Sequence, residues 1–76
     1  MASLQDLRKL FTDSDKRYLY LLDGASQRLI ILSKEGKLVK QLMFPQLKDL
    51  KDFVISQRED RAWLLDGTSI CEINLK

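Results

Sequence analysis

The stretch Tyr18-Leu19-Tyr20-Leu21-Leu22-Asp23-Gly24 decides the fold, because a second form of it follows 43 residues later as Arg61-Ala62-Trp63-Leu64-Leu65-Asp66-Gly67. Both forms end in Leu-Leu-Asp-Gly, and both carry an aromatic residue three positions before the aspartate. Between 4–24 and 47–67, seven of 21 positions are identical, whereas chance would give about one or two. The chain therefore contains two repeats, which we place at 1–44 and 45–76.

The composition limits the classes of protein to which the chain can belong. A chain of 76 residues forms one small unit that buries only roughly 60% of its unfolded surface and is marginally stable alone. Cys71 is the single cysteine and histidine is absent, so an internal disulfide and a zinc site with about four Cys or His ligands are excluded. We expect a cofactor-free protein.

Charge and hydropathy give no sign of a membrane or nucleic-acid partner. The net charge of +2 is small, and no apolar run approaches the roughly 18 residues of a membrane span. The N-terminus lacks the apolar core of a signal peptide. The default expectation is a soluble protein of a reducing compartment, the cytoplasm.

Three strands can be predicted in the first repeat from aliphatic and aromatic runs bounded by polar turns, at 18–22, 28–33 and 38–43. Gly36 lies in the tight turn before the third, where a positive φ is expected. The third strand is diluted by Lys40 and Gln41, which is typical of an outer, half-exposed strand. In the second repeat 70–75 replaces 28–33, and nothing corresponds to 38–43.

The start of each repeat has two interpretations. Leu4, Leu7 and Leu10 lie at helical spacing, and Ser3 with Asp6 resembles a capping box. One interpretation is therefore an α+β fold with short helices at 3–11 and 45–53. The alternative is a helical turn followed by a strand that begins near residue 8.

Both faces of the central strands are apolar. Tyr18, Tyr20 and Leu22 lie on one face of their strand, and Leu19 and Leu21 on the other. Such a strand has material packed on both sides of its sheet, and the connections are too short for crossover helices. A radial stack of small antiparallel sheets with a period of about 40–50 residues is the pattern of a β-propeller.

The segment 18–39 resembles a blade of the NHL-like propellers: an apolar strand, Asp23, a short polar turn, Arg28, a second apolar strand and the Gly36 turn. The resemblance implies an all-β fold of two antiparallel blades with four plus three strands. It places strands at 7–12, 18–22, 28–33 and 38–43, and then at 52–56, 62–65 and 70–75. The second repeat departs from the pattern, because Ser69 stands near the place of the arginine.

Two blades cannot close a propeller, since natural rings need about four to eight. The chain is then part of a longer propeller, a subunit of a homo-oligomeric ring such as three chains with six blades, or a rearranged compact or swapped dimer. Self-association is the favoured expectation, because open blades expose apolar faces and sheet edges.

The residues singled out are given structural roles. An aspartate before a glycine at a strand end usually caps a turn, and a repeated aromatic on a central strand is usually core. The predicted turn and blade motif comprises Asp23, Gly24, Arg28, Gly36, Asp66 and Gly67. The predicted inter-blade core comprises Tyr20, Leu21, Leu22, Ile31, Trp63, Leu64 and Leu65.

The favoured function is a non-catalytic module for self-assembly or for protein or ligand binding, without a metal or a catalytic residue. Its ligand would meet the loops 23–27, 45–48 and 66–69. One alternative is a piece of a propeller hydrolase or lactonase whose metal site is assembled from several blades, with Asp6 and Asp49 as the candidate ligands. Cys71 lacks a histidine to activate it, and the carboxylates Glu59 and Asp60 are interpreted as solvated charge.

A second alternative is a weak nucleic-acid-binding module. The basic residues that would form its surface are interleaved with acidic ones, so nucleic acid is not the favoured partner. They are Lys9, Lys16, Arg17, Lys34, Lys37 and Lys40.

Overall fold

The computed structural model describes residues 6–75. Seven strands fill this part of the chain, and no helix occurs among these residues. They are β1 (Leu7–Phe11), β2 (Tyr18–Asp23), β3 (Arg28–Ser33), β4 (Leu38–Met43), β5 (Leu50–Ile55), β6 (Arg61–Asp66) and β7 (Ser69–Asn74). They form two antiparallel sheets, sheet A with the order β1-β2-β3-β4 and sheet B with the order β5-β6-β7. The predicted all-β fold is confirmed.

The two sheets share their register as well as their sequence. In sheet A, Leu10 lies opposite Leu21, and in sheet B the equivalent Phe53 lies opposite Leu64. The first strand of each sheet is irregular at the same place, between Leu7 and Lys9 and between Leu50 and Asp52. The offset of 43 residues therefore maps β1 and β2 onto β5 and β6 residue by residue.

The turns explain the two-residue difference in length between the repeats. The turn from β2 to β3 has four residues, 24–27, and its last residue Gln27 has a φ of 53°. The turn from β6 to β7 has two residues, and Gly67 takes the positive φ of 60°. A two-residue hairpin with a positive φ at its first position favours glycine there. Gly36, in the turn before β4, has the positive φ of 90° that its position predicts.

The main core lies between the two sheets. It contains ten buried residues: four from the strands of sheet A, five from the strands of sheet B, and Leu75, which follows β7. At its centre, Phe53 packs edge-on against Phe11. The buried members are Tyr20, Leu22, Leu29, Ile31, Leu50, Phe53, Ile55, Ala62, Leu64 and Leu75. A smaller buried cluster of Leu21, Ile30 and Leu32 lies on the opposite face of sheet A, with Leu19 packed against it. Sheet A is thus buried on both faces at its centre.

The interpretation of helices at 3–11 and 45–53 is wrong for the described residues. Residues 7–11 and 50–55 are strands, and 3–5 lie outside the described part of the chain. The helical spacing of the leucines is real, but pairing with β2 and β6 satisfies the backbone of β1 and β5 and brings Phe11 beside Tyr20. Tertiary pairing of this kind overrides weak local helix propensity.

The strand ends differ slightly from those predicted. β1 ends one residue early, β5 covers 50–55 in place of 52–56, and β7 covers 69–74 in place of 70–75. As expected for an outer strand, β4 lies at the edge of sheet A and is mostly exposed. No helix within residues 6–75 has the length and apolar character to cross a membrane.

Candidate assembly interface

The contact between sheet A and sheet B, which we call the seam, encloses the main core. At the inner strands, Lys9 Nζ lies 2.7 Å from Asp52 Oδ1 and donates to the Phe53 carbonyl at 2.9 Å. The same ammonium lies 5.1 Å from the centroid of the Phe53 ring. The hydrogen bond from Lys9 lowers the pKa of Asp52 below its usual value. At the inner end of the seam, the ion pair between Lys9 and Asp52 therefore lies next to the Phe53 ring.

Glu59 closes the middle of the seam. Its carboxylate accepts hydrogen bonds from the Arg17 backbone N–H at 2.9 Å and from the Tyr20 hydroxyl at 2.8 Å. Glu59 adopts a left-handed backbone conformation, with a φ of 60°. Burial of Tyr20, followed by its bond to Glu59, raises the pKa of this phenol well above its usual value. Glu59 is half-buried and bridges the sheets, so its interpretation as solvated charge is wrong.

A small cavity of about 180 Å³ opens beside Glu59. Arg17, Lys40 and Arg58 line it together with Glu59, so its polar wall is mainly cationic. Lys40 Nζ donates to the Leu75 carbonyl at 2.9 Å, which joins the outer strand of sheet A to the end of sheet B. Lys9 and Lys40 therefore bond across the seam through their ammonium groups.

The remaining four of the basic residues considered for a nucleic-acid surface do not converge on one site. Lys34 donates to the carbonyl of Asp13 at 2.8 Å, and Lys16 lies 3.6 Å from Asp15. Lys37 is exposed at the hairpin turn before β4, whereas Arg17 holds Glu59 through its backbone. Charged groups of both signs are thus distributed along this part of the surface.

The turn motif of the first repeat is a buried ion pair. Asp23 is fully buried, with 0% of its surface exposed. Its Oδ1 accepts from the backbone N–H groups of Asp6 and Ala25, both at 3.1 Å. Its Oδ2 accepts from two guanidinium nitrogens of Arg28, at 3.2 and 3.1 Å. Asp23 and Arg28 therefore tie the start of β1 to the turn between β2 and β3.

The second repeat keeps only part of this arrangement. Asp66 Oδ1 accepts from the Asp49 backbone N–H at 2.8 Å, which matches the bond between Asp6 and Asp23. Ser69 replaces the arginine, and Asp66 is half-buried. In the first repeat, by contrast, Gly24 lies against the side chain of Arg8. A Cβ atom added at residue 24 would lie only 2.6 Å from Arg8 Nε. Asp66 and Gly67 form a turn without a buried cation at the place of Arg28.

Asp6 and Asp49, the candidates for a metal site, each face a neighbouring cation. Asp6 Oδ2 lies 2.7 Å from Arg8 Nε, and Asp49 Oδ2 lies 3.6 Å from Lys51 Nζ. Within residues 6–75, no group of three or more Cys, Asp or Glu side chains has a metal-binding arrangement. Cys71 is a half-buried free thiol on β7, opposite Leu64.

The predicted inter-blade core residues divide between three surfaces. Tyr20, Leu22, Ile31 and Leu64 belong to the main core, and Leu21 belongs to the smaller cluster on the far face of sheet A. Trp63 and Leu65 lie on the far face of sheet B and are half-buried. Because neighbouring residues of a strand point to opposite faces, Trp63 and Leu64 cannot enter the same core.

The far face of sheet B, which we call the outer face, is apolar and open. It comprises Val54, Trp63, Leu65 and Ile70, which surround a shallow groove of about 210 Å³. Val54 is 59% exposed and Ile70 is 73% exposed. Trp63 Nε1 donates to Glu72 Oε1 at 3.1 Å, so the polar atom of the indole is directed along the surface. Val54 and Ile70 of this face are the exposed large hydrophobic residues among the described strands of sheet B.

Two parts of the interface escaped the sequence analysis. Lys9 and Asp52 occupy equivalent positions of the two repeats with opposite charges, and the offset of 43 residues could have revealed this pair. Glu59 could not be found in the same way, because its partners are a backbone N–H and a hydroxyl on the other repeat. A polar turn in sequence gives no signal for such contacts.

The structure is similar to the crystal structure of Ph1500 from Pyrococcus horikoshii, with a TM-score of 0.60 and a sequence identity of 11%. The match covers 97% of this chain and 46% of that protein, so the chain spans less than half of its neighbour's length. At this identity the similarity concerns the fold alone. No protein-family model matches the chain, and no curated protein matches its sequence.

Proposed function

We propose that this chain is a non-catalytic pair of blades of an NHL-like β-propeller, and that it acts by stacking with further blades. The partner blades belong to other copies of the chain or to the rest of a parent propeller. A homo-oligomer is the simpler form of the proposal, because it needs no second component. The resemblance of the first repeat to an NHL-like blade is supported by the buried pair of Asp23 and Arg28 at its predicted turn.

One observation carries the proposal. Leu29 on β3 and Ile70 on β7 occupy corresponding places in the two sheets, since each lies opposite the last leucine of the repeated stretch. Leu29 is completely buried by sheet B, whereas Ile70 is 73% exposed. The same sequence pattern thus builds a covered face in sheet A and an uncovered one in sheet B. Covering the outer face with another blade would remove this difference.

Burial of apolar surface gives the physical reason for association. Each side chain the size of Val or Ile contributes about 1.5–3 kcal/mol when it is moved from full exposure into a core. On the outer face, Val54 and Ile70 are 59% and 73% exposed, so they would provide most of this gain, and the half-buried Trp63 and Leu65 would add less. A chain of 76 residues has a small core of its own, so this gain is large relative to the stability of the isolated unit.

The native mass in solution tests the proposal. We expect a defined multiple of the 8.9 kDa chain in analytical ultracentrifugation at micromolar concentration. Trp63 is the single tryptophan and lies on the outer face, so its fluorescence should shift to the red when dilution separates the copies. A monomer at high micromolar concentration, with unchanged emission on dilution, would contradict the homo-oligomeric form.

A further inference from the structure

We propose that the cavity beside Glu59 binds a small phosphate monoester that carries a short apolar or aromatic group. Such a site goes beyond the proposed function and does not depend on it, because every residue that lines the cavity belongs to one chain. The cavity lies where the starts of β2 and β4 approach the turn between β5 and β6. It is therefore at the opposite end of β2 from the turn 24–27, and sheets A and B both contribute to it.

The polar wall of the cavity carries an excess of two positive charges. Arg17, Lys40 and Arg58 contribute the cations, and Glu59 contributes the carboxylate. A phosphate monoester carries about −1.5 to −2 charges at pH 7 and so matches this excess. A carboxylate ligand, with a single charge, would match only half of it. The charge of the wall therefore favours a phosphate as the anionic part of the ligand.

Glu59 does not neutralise the two arginine side chains. Its oxygens accept from the Arg17 backbone N–H, at 2.9 and 3.1 Å, and from the Tyr20 hydroxyl at 2.8 Å. Within residues 6–75, the guanidinium groups of Arg17 and Arg58 form neither a hydrogen bond nor an ion pair. A guanidinium group presents paired N–H donors that match the oxygens of a phosphate. Both arginines therefore have donors for an anion.

Lys40 is already held at the cavity before a ligand binds. Its Nζ donates to the Leu75 carbonyl at 2.9 Å, and an ammonium group has further N–H donors that this bond does not use. A side chain that is ordered in advance costs less conformational entropy on binding. Lys40 is therefore the cation of the wall that is best prepared for a ligand.

The rest of the cavity wall is apolar. Ile31 and Leu75 are members of the main core, only 4% and 7% exposed, and the half-buried Tyr18 packs against that core. Val39, which is 50% exposed, completes this part of the wall. The cavity of about 180 Å³ is smaller than the roughly 300–1,000 Å³ of pockets for drug-sized ligands. The apolar part of the ligand is therefore small, about the size of one aromatic ring.

A ligand in this cavity would connect the two sheets. Arg17 directly precedes β2 of sheet A, and Arg58 lies in the turn before β6 of sheet B. A phosphate bound to both arginines adds a contact across the seam that the unfolded chain cannot make. A ligand that binds only the folded state raises stability as its concentration increases. Binding should therefore also raise the melting temperature.

Isothermal titration calorimetry with four probes tests the ligand class. Phenyl phosphate presents the anion and the ring, and we expect it to bind once per chain and to raise the melting temperature. Inorganic phosphate should bind about tenfold more weakly, because it leaves the apolar wall uncovered. Benzoate, with a single charge, should also bind more weakly. Benzyl alcohol should show no measurable binding, because it leaves the cations without an anion.

Matched variants test the location of the site. Arg17→Gln and Arg58→Gln each remove one cation of the wall, and the Arg17 backbone bond to Glu59 is kept. Both arginines are exposed, so each variant should keep its fold by far-ultraviolet circular dichroism. We expect each to bind phenyl phosphate about tenfold more weakly. The control is Lys37→Gln, which removes the same charge from an exposed lysine outside the cavity wall and should keep the wild-type affinity.

Defined results would overturn the proposal. No measurable binding of phenyl phosphate at about 10 mM would exclude a site with several charge-assisted contacts. Equal affinities for phenyl phosphate and inorganic phosphate would overturn the ligand class, as would tighter binding of benzoate. Equal losses in both arginine variants and in Lys37→Gln would mean attraction to net charge alone. These outcomes do not involve the native mass, which tests the proposed function separately.

Discussion

The two sheets have related sequences but unequal environments. Sheet A has four strands, buried clusters on both faces and a buried ion pair at its turn. Sheet B has three strands, one buried face and a half-buried aspartate at the matching turn. The difference shows that the repeated sequence fixes the strands and the register, whereas burial depends on what lies next to each sheet. Sheet A is buried on both faces at its centre, whereas one face of sheet B leaves Val54 and Ile70 exposed.

Removing the carboxylate charge at the two turns should give the largest contrast. Asp23→Asn leaves the buried Arg28 without its ion pair, and breaking a buried pair costs about 3–5 kcal/mol. Asp66→Asn weakens a hydrogen bond at a half-buried site, which costs about 1 kcal/mol. Urea unfolding followed by circular dichroism measures both. Equal losses for the two variants would mean that the arginine adds nothing to the first turn.

Adjacent leucines of β6 compare the two faces of sheet B. Leu64→Ala removes a fully buried side chain, and such changes cost about 2–5 kcal/mol. Leu65→Ala lies on the half-buried outer face, so we expect a loss of about 1 kcal/mol or less in the free energy of unfolding of the dissociated chain. The measurement is urea unfolding at a concentration too low for association. At high concentration, Leu65→Ala should lower the native mass, because Leu65 lies on the outer face. Leu64→Ala gives no such test of association, because Leu64 lies in the main core.

Tyr20→Phe isolates the bridge to Glu59. Loss of the hydrogen bond should lower the free energy of unfolding by about 1–3 kcal/mol at pH 7, since Glu59 is a charged acceptor. The raised pKa of Tyr20 means that the folded state favours the neutral phenol. Its contribution is therefore fully present below the unfolded pKa of about 10 and declines as the pH rises further.

The pH test compares unfolding in urea at pH 8 and pH 10.5 for the wild type, Tyr20→Phe and the control Tyr18→Phe. Tyr18 lies on the same face of β2, but the phenolic hydroxyl that donates to Glu59 is that of Tyr20. We expect a smaller alkaline loss in Tyr20→Phe than in the wild type, and a wild-type loss in Tyr18→Phe. If all three proteins lose the same stability, the bond to Glu59 does not contribute to the alkaline response.

The smallest effect should come from the ion pair between Lys9 and Asp52. Both groups are partly exposed, and pairs of this kind contribute about 0.2–1 kcal/mol. The lowered pKa of Asp52 places its contribution above the unfolded pKa of about 3.9, and the contribution is lost as the pH falls through the lower folded value. The difference between the wild type and Asp52→Asn should therefore shrink between pH 6 and pH 2.5. Asp49→Asn, which alters an ion pair within sheet B, is the matched control.

Much of the fold could be predicted because the repeated stretch combines local and long-range information. The apolar runs and the turns marked by Gly36 and Asp66-Gly67 define the strands without any knowledge of packing. The first strand of each repeat was ambiguous, because a short segment with leucines at helical spacing satisfies both patterns. Only pairing with the next strand decides between them.

The candidate site was less predictable because it depends on which face of a strand is covered. Trp63 matches Tyr20 in sequence, but Tyr20 is covered by sheet B and Trp63 has no described sheet beside it. Equivalent positions of the two sheets therefore acquire different roles. Glu59 was missed for another reason, since its partners are brought together by the contact between the sheets.

The left-handed conformation of Glu59 has a consequence for protein engineering. Glycine and asparagine adopt a positive φ more readily than glutamate does. A stability design guided by the backbone alone would replace Glu59 with one of them and relieve local strain. The same replacement would remove the acceptor for Arg17 and Tyr20. At this position, improving one hairpin and holding two sheets together are competing objectives, and a designed variant has to be judged on both.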